Sequence, residues 1–417
     1  MKRLTAVLLV GFLLATSAGA DNWPSWRGPN YDGVAPGKGY ATTWSATENV
    51  RWKVALPGPG SSTPILWGDH IFLTCASDGH NTAVCLSRDG KLVWKTPIGQ
   101  RARSGKNAKA TGSNPSAVTD GEHIWVYFKS GALACLDMQG KIVWETNLQD
   151  EYGTDSLQWD LGTSPVLTRD AVVVAVMHRP PSYLVAFEKE TGKVAWKQDR
   201  TLPAPAEAND SYSTPIVLAH EGRELLVVLG ADHVTGHDAA SGKELWRAGG
   251  LNPRQAGNFR SIASAVIEDG VVVAPYARGG TLTAIKLGGS GDVTKSHVVW
   301  TRDDLGADVP TPAALEGKVY VCGDRGQVSC LDVKTGDTIW TGTVERHRTA
   351  YSSSPVIADG KLYVTREDGA TFVLALGDEF KLLAKNEIGR EQVVATPVFA
   401  DGLIFLRTRD NLYCIGK

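Results

Sequence analysis

After residue 20 this 417-residue chain has no apolar run long enough for a membrane-spanning helix, which needs roughly 20 consecutive apolar residues. It lacks a basic surplus too, with 43 Lys and Arg against 45 Asp and Glu. That balance excludes nucleic acid as a partner, because phosphates demand a basic face. No G-x-S-x-G, phosphate-binding glycine loop or Cys-x-x-Cys pair occurs, so the chemistries those motifs support have no carrier here. Amphipathic runs of helical period are missing beyond the N-terminus, which argues for strands throughout.

What is present begins with MKRLTAVLLVGFLLATSAGA, a basic start, an apolar run and the small-residue exit Ala18-Gly19-Ala20. These are the parts of a secretory signal, expected to be cleaved after Ala20. Without Lys2 and Arg3 the formal charge of −2 becomes −4, by subtraction of two positive charges. No cysteine stands at the exit, so a lipid-anchored end is not expected. The mature chain is expected to be exported, soluble and monomeric, in the periplasm or outside the cell.

The body of the chain is a repeat. SSTPIL, GSNPSAV, GTSPVL, YSTPIV, PTPAAL, SSSPVI and VATPVF place their last prolines at 64, 115, 165, 215, 312, 355 and 397. The double gap before Pro312 holds a diverged copy, SIASAVI, with Ala265 in the proline's place, making eight copies. Each continues through two short β-rich runs, and in six copies a turn leads into a last run carrying a tryptophan: Trp94, Trp144, Trp196, Trp246, Trp300 and Trp340; the seventh is degenerate there (DEFKLLA) and the eighth ends first. Four strands per unit at this period predict an all-β, eight-bladed propeller of four-stranded antiparallel blades. The eighth copy ends before its fourth strand, and NVRWKVA (Asn49 to Ala55) supplies it, so the N-terminal strand closes the ring through Trp52. The expected divisions are a signal at 1–20, a strap at 21–38 and the propeller at 39–417. Trp23, Trp26 and Tyr31 in the strap need cover, which is expected on the outside of the ring.

The run from Gly236-His237-Asp238 to Trp246, and that from Cys330-Leu331-Asp332 to Trp340, resemble the tryptophan-docking motif of pyrroloquinoline quinone (PQQ)-type propellers. Ala186-Phe187-Glu188 through Trp196 keeps the length but has Glu for Asp. The likeness covers roughly residues 40 to 417. It implies one of two activities: a quinoprotein dehydrogenase using PQQ and Ca²⁺, or a BamB-type accessory protein of outer-membrane assembly that binds no cofactor. The second matches better in size. The dehydrogenases carry an adjacent-cysteine disulfide, whereas Cys75, Cys85, Cys135, Cys322, Cys330 and Cys414 include no neighbours.

If each blade starts at its inner strand, all the long loops share one face, opposite a face of tight turns. Loops on a rigid scaffold are where binding is usually placed. Residues just before the inner strands should ring the funnel mouth there: Lys109, Trp159, Asp160, Asp210, Tyr212, Arg260, Asp308, Arg348 and Tyr351. They form a candidate ligand or partner site, or else satisfy one another. No catalytic set and no metal site is expected. His233 and His237 would lie about 13 Å apart on a strand, too far for one ion, though closer across a turn. Cys75 with Cys85, and Cys322 with Cys330, could meet across hairpins, or each could be a buried small residue. The expected function is a non-enzymatic scaffold for another exported or envelope protein. The alternatives are a PQQ-binding dehydrogenase and a propeller that binds a small molecule or polysaccharide.

Overall fold

A computed structural model describes residues 21–102 and 109–417, and the expected signal lies outside them. Eight sheets run around one axis, seven of four strands and one of five. In the first blade the order is Ile65–Trp67, His70–Ser77, His80–Ser87 and Leu92–Gln100, from the axis outward. The middle strands are covered on both sheet faces by neighbouring blades, so they read as continuous apolar runs; Ala171–Val176 is buried at every position. Outer strands such as Ile142–Asn147 alternate in burial instead. No helix among the described residues is long and apolar enough to cross a membrane.

The ring closes as the sequence predicts. Val50–Ala55 pairs antiparallel with Asn411–Ile415, Trp52 lying opposite Cys414, and becomes the outer strand of the eighth blade. The Trp52 indole N–H then donates to the Arg88 carbonyl of the first blade at 3.2 Å. Trp94, Trp144, Trp196, Trp300 and Trp340 each reach the next blade in the same way, at 2.7–3.1 Å. Beneath the indoles lie the turn glycines; Gly140 has φ +82°, and a Cβ there would sit 2.4 Å from Trp94. Trp246 is the exception, its buried Nε1 having no hydrogen-bond partner among the described residues. The fifth blade has an insertion in place of the short turn, and Gly291–Asp292 within it pairs with Trp246 and Arg247 as a fifth strand.

The strand register explains the cysteines. Cys85, Cys135, Cys330 and Cys414 lie opposite Trp94, Trp144, Trp340 and Trp52, where Ala186 and Gly236 serve the third and fourth blades. A small side chain is required there to admit the indole. Cys75 faces Thr82 and Cys322 faces Val328, so neither hairpin pair meets, and all six thiols are free and buried. Burial pushes the thiols of Cys85 and Cys135 up to about 12, which keeps them unreactive.

At the start of every inner strand stands one hydroxyl residue, and the eight form a closed hydrogen-bonded belt. The backbone N–H of each donates to the hydroxyl oxygen of the next: Thr63 to Ser116, Ser164, Thr214, Ser264, Thr311, Ser354, Thr396 and back to Thr63, at 2.8–3.3 Å. The inner strands are the axial edges of their sheets, and the belt satisfies N–H groups that would otherwise be stranded there. In the second blade the belt residue is Ser116, and Val118 pairs as Ile65 does, so Ala117 rather than Pro115 occupies the repeat position.

The segment before the ring does not pack on the outside, contrary to expectation. It crosses the axis on the tight-turn face. Trp23 exchanges two backbone hydrogen bonds with Leu66, both 2.9 Å, and Thr119 donates to the Pro24 carbonyl. Further on, Ala314 donates to Asp32, and Ile357 bonds with Gly33 and Ala35. The Arg27 guanidinium, buried, donates to the carbonyls of Pro312 and Pro355 at 2.9 Å each. The physical reason is that unpaired inner edges offer the segment hydrogen-bonding partners, which the outer surface does not. The tight-turn face is thus not made of turns alone: it carries this segment and the insertion at residues 287–297.

Candidate functional site

Above the crossing segment the axis opens as a cavity of about 290 Å³ toward the loop face. Trp26 is one of its lining residues, as are six members of the hydroxyl belt. Of the nine residues singled out in the sequence, the structure brings Lys109, Trp159, Asp160, Tyr212 and Arg260 together on its wall. Asp308 lines a neighbouring cavity between the fifth and sixth blades, with Asp324 and Arg278. Asp210 is fully buried behind the wall, and neither carboxylate oxygen has a hydrogen-bond partner among the described residues. Tyr351 is fully buried against Phe372, and Arg348 is exposed on its loop; neither reaches the axial cavity.

The charged groups are largely engaged with one another. Lys109 is ion-paired with Glu367. Arg260 lies 3.4 Å from Asp308 and 3.7 Å from Glu207, with its guanidinium 5.7 Å over the Trp159 ring. The Trp159 N–H donates to Glu207 at 2.9 Å, which fixes the indole at the rim. Asp160 accepts the backbone N–H groups of Gly112 and Leu161, both at 2.8 Å, and burial still raises its carboxyl above the usual range. Burial likewise pushes Asp210 up to about 6, opposed by Arg179 and reinforced by Glu207.

The oxygens on this wall that could face a cation are already engaged within the protein. The carboxylate of Asp160 is taken by backbone donors, and the Asn114 carbonyl oxygen accepts Thr111 Oγ1 at 2.7 Å. No group of three or more His, Cys, Asp or Glu among the described residues can hold a metal. His233 and His237 share one strand; His237 Nδ1 meets the Gly242 carbonyl at 3.0 Å and Nε2 meets Thr235 Oγ1 at 2.9 Å. Sequence reasoning missed Trp26, Asn114 and the belt. A Ser or Thr heads each inner strand in the sequence, but nothing local to it shows that its hydroxyl meets the backbone of a neighbouring blade.

The family profile described as outer membrane protein assembly factor BamB matches residues 33–180 and 181–372. A protein of that name from Burkholderia pseudomallei is 24% identical over 350 residues, which are 76% of this chain and 85% of that protein. The crystal structure of BamB from Moraxella catarrhalis superposes with TM-score 0.61 at 14% identity, covering 88% of this chain and 96% of the other. A quinohemoprotein alcohol dehydrogenase from Pseudomonas putida superposes with TM-score 0.71 at 12% identity over 95% of this chain and 80% of its own, a likeness of fold. With the profile spanning most of the ring, the chain belongs to the family of the outer membrane protein assembly factor BamB.

Proposed function

We propose that this chain is an exported, cofactor-free scaffold that holds another envelope protein on its loop face and serves the assembly of outer-membrane proteins. The observation that carries this reading is the inequality of the two faces. On one, the N-terminal segment crosses the axis, bonded to the inner strands; on the other, long loops stand on a rigid ring and expose Gln158, Arg254, Arg346 and Arg348. Family membership supports it, since the related proteins bear the name of an assembly factor. The engaged charges at the funnel mouth favour a contact made by the loops over an anionic ligand drawn to Lys109 or Arg260.

The test is capture from detergent-solubilised outer membranes, comparing the wild type with an R254E/R346E/R348E variant. These exposed side chains can be reversed without disturbing the core. The reading expects one specific partner, lost by at least 10-fold in the variant. Equal capture by both proteins, or none by either, would refute it.

A further inference from the structure

The belt has an unused half. Each hydroxyl oxygen accepts one backbone N–H, and a hydroxyl also carries a proton of its own to donate. Among the described residues none of the eight hydroxyls donates to a protein acceptor. Six of them, Thr63, Ser116, Ser164, Thr214, Ser354 and Thr396, are at least nine-tenths buried and line the axial cavity. Fixed donors that are buried and unspent define what should sit beside them: a ligand with many acceptor oxygens.

The rest of the wall narrows the class. Lys109 and Arg260 are already held by Glu367, Asp308 and Glu207, and Asp160 repels anions, so nothing in the cavity rewards a net charge. Apolar area comes from Trp26, Trp159, Ala110, Ile262 and Val309. An indole set at the rim beside hydroxyl donors is suited to a ring with one C–H face and equatorial hydroxyls. At about 290 Å³ the cavity is at the small end of ligand sites. The segment carrying Trp26 crosses beneath, so among the described residues the cavity is approached from the loop face.

From these observations we infer that the axial cavity binds the end of a neutral saccharide, one or two pyranose rings, with Trp159 stacking on the sugar and the belt hydroxyls donating to its oxygens. This goes beyond the scaffold reading and does not depend on it, because the partner surface lies on the loops and the sugar site on the axis. Trp159 is a binding residue in this proposal, not a catalytic one.

The test is saturation-transfer difference NMR with calorimetry on the intact mature protein. The probes are glucose, N-acetylglucosamine, maltose and cellobiose, with glucuronate and sulfate as charged comparators. At least one neutral sugar should bind with Kd near about 1 mM, equivalent to about 4 kcal/mol. W159A should weaken it at least 10-fold with Tm unchanged, since Trp159 is 38% exposed, and W159F should restore most of the affinity. No neutral probe bound at 50 mM (about 50-fold above that Kd), equal binding by W159A, or tighter binding of glucuronate or sulfate would each overturn the proposal. Sugar binding by the R254E/R346E/R348E variant is measured in parallel, so that loss of the partner with retained sugar separates the two readings, since none of these three arginines lines the cavity.

Discussion

Ser164→Ala removes one oxygen from the belt and nothing else of size. Ser164 Oγ accepts the backbone N–H of Ser116 at 2.9 Å, while the N–H of Ser164 donates onward to Thr214 Oγ1 at 3.0 Å and is untouched. Ser116 and Ser164 are 2% and 3% exposed, so the orphaned N–H has little access to solvent. Leaving a buried donor without a partner costs about 1–3 kcal/mol, against about 1 kcal/mol for an ordinary hydrogen bond lost to water. An unfolding entropy of about 2.1 cal/mol/K per residue, over a chain this long, converts about 2 kcal/mol to a Tm lowered by about 2 °C. Urea unfolding should show a lower midpoint at constant m-value. Ser164→Thr, which returns the oxygen, should recover most of the loss. A shift below about 0.5 °C for the alanine variant, or equal losses for alanine and threonine, would mean that the belt hydrogen bonds are incidental to how the inner strands are held.

Other consequences follow from single residues. Arg27→Met strips the donors from the carbonyls of Pro312 and Pro355 and should cost about 2 kcal/mol, with proteolytic cutting within residues 22–36 accelerated before the ring itself opens. Gly140→Ala meets both a left-handed backbone, φ +82°, and the Trp94 ring, and should lower stability by about 2–3 kcal/mol in chemical denaturation. Asp210 titrates at about 6 when folded against about 3.9 when unfolded, with Arg179, Glu207 and Asp155 around it. Its raised pKa gives stability that is complete below pH 4 (about the unfolded value) and is lost as pH rises through about 6. Asp210→Asn should therefore match the wild type near pH 4 and exceed it by about 1–2 kcal/mol at pH 7.5; a thermal-melt series across that range checks the sign.

The propeller was legible because its strongest signals are local and repeated. A Gly-Lys turn, a β-rich run and a tryptophan recur at a fixed distance, and the missing last strand pointed to Asn49–Ala55 at once. Registers were harder. In the second copy the proline at 115 drew the alignment two residues away from Ala117, because proline is conspicuous in a sequence while the feature that sets the register is the hydroxyl of Ser116. The strap misled for a different reason. Trp23 and Tyr31 announce that they need burial, but apolarity has no direction; the inner edges that capture Trp23, Asp32 and Gly33 exist only once the ring is closed. For the site, position before an inner strand located Lys109, Trp159, Asp160, Tyr212 and Arg260 on the cavity wall. The same rule placed Tyr351 at the mouth, although aromatic packing takes its ring into the core beside Phe372.

We propose that one face of this ring receives an envelope protein while the N-terminal segment crosses the other. This proposal is tested most directly by site-specific photo-cross-linking in intact cells, with the reactive group placed at Arg348 on the loop face or at Lys243, exposed on the tight-turn face. Adducts to an outer-membrane assembly protein from position 348, and none from 243, are the predicted result. Adducts from 243 alone, or from neither position, would contradict it.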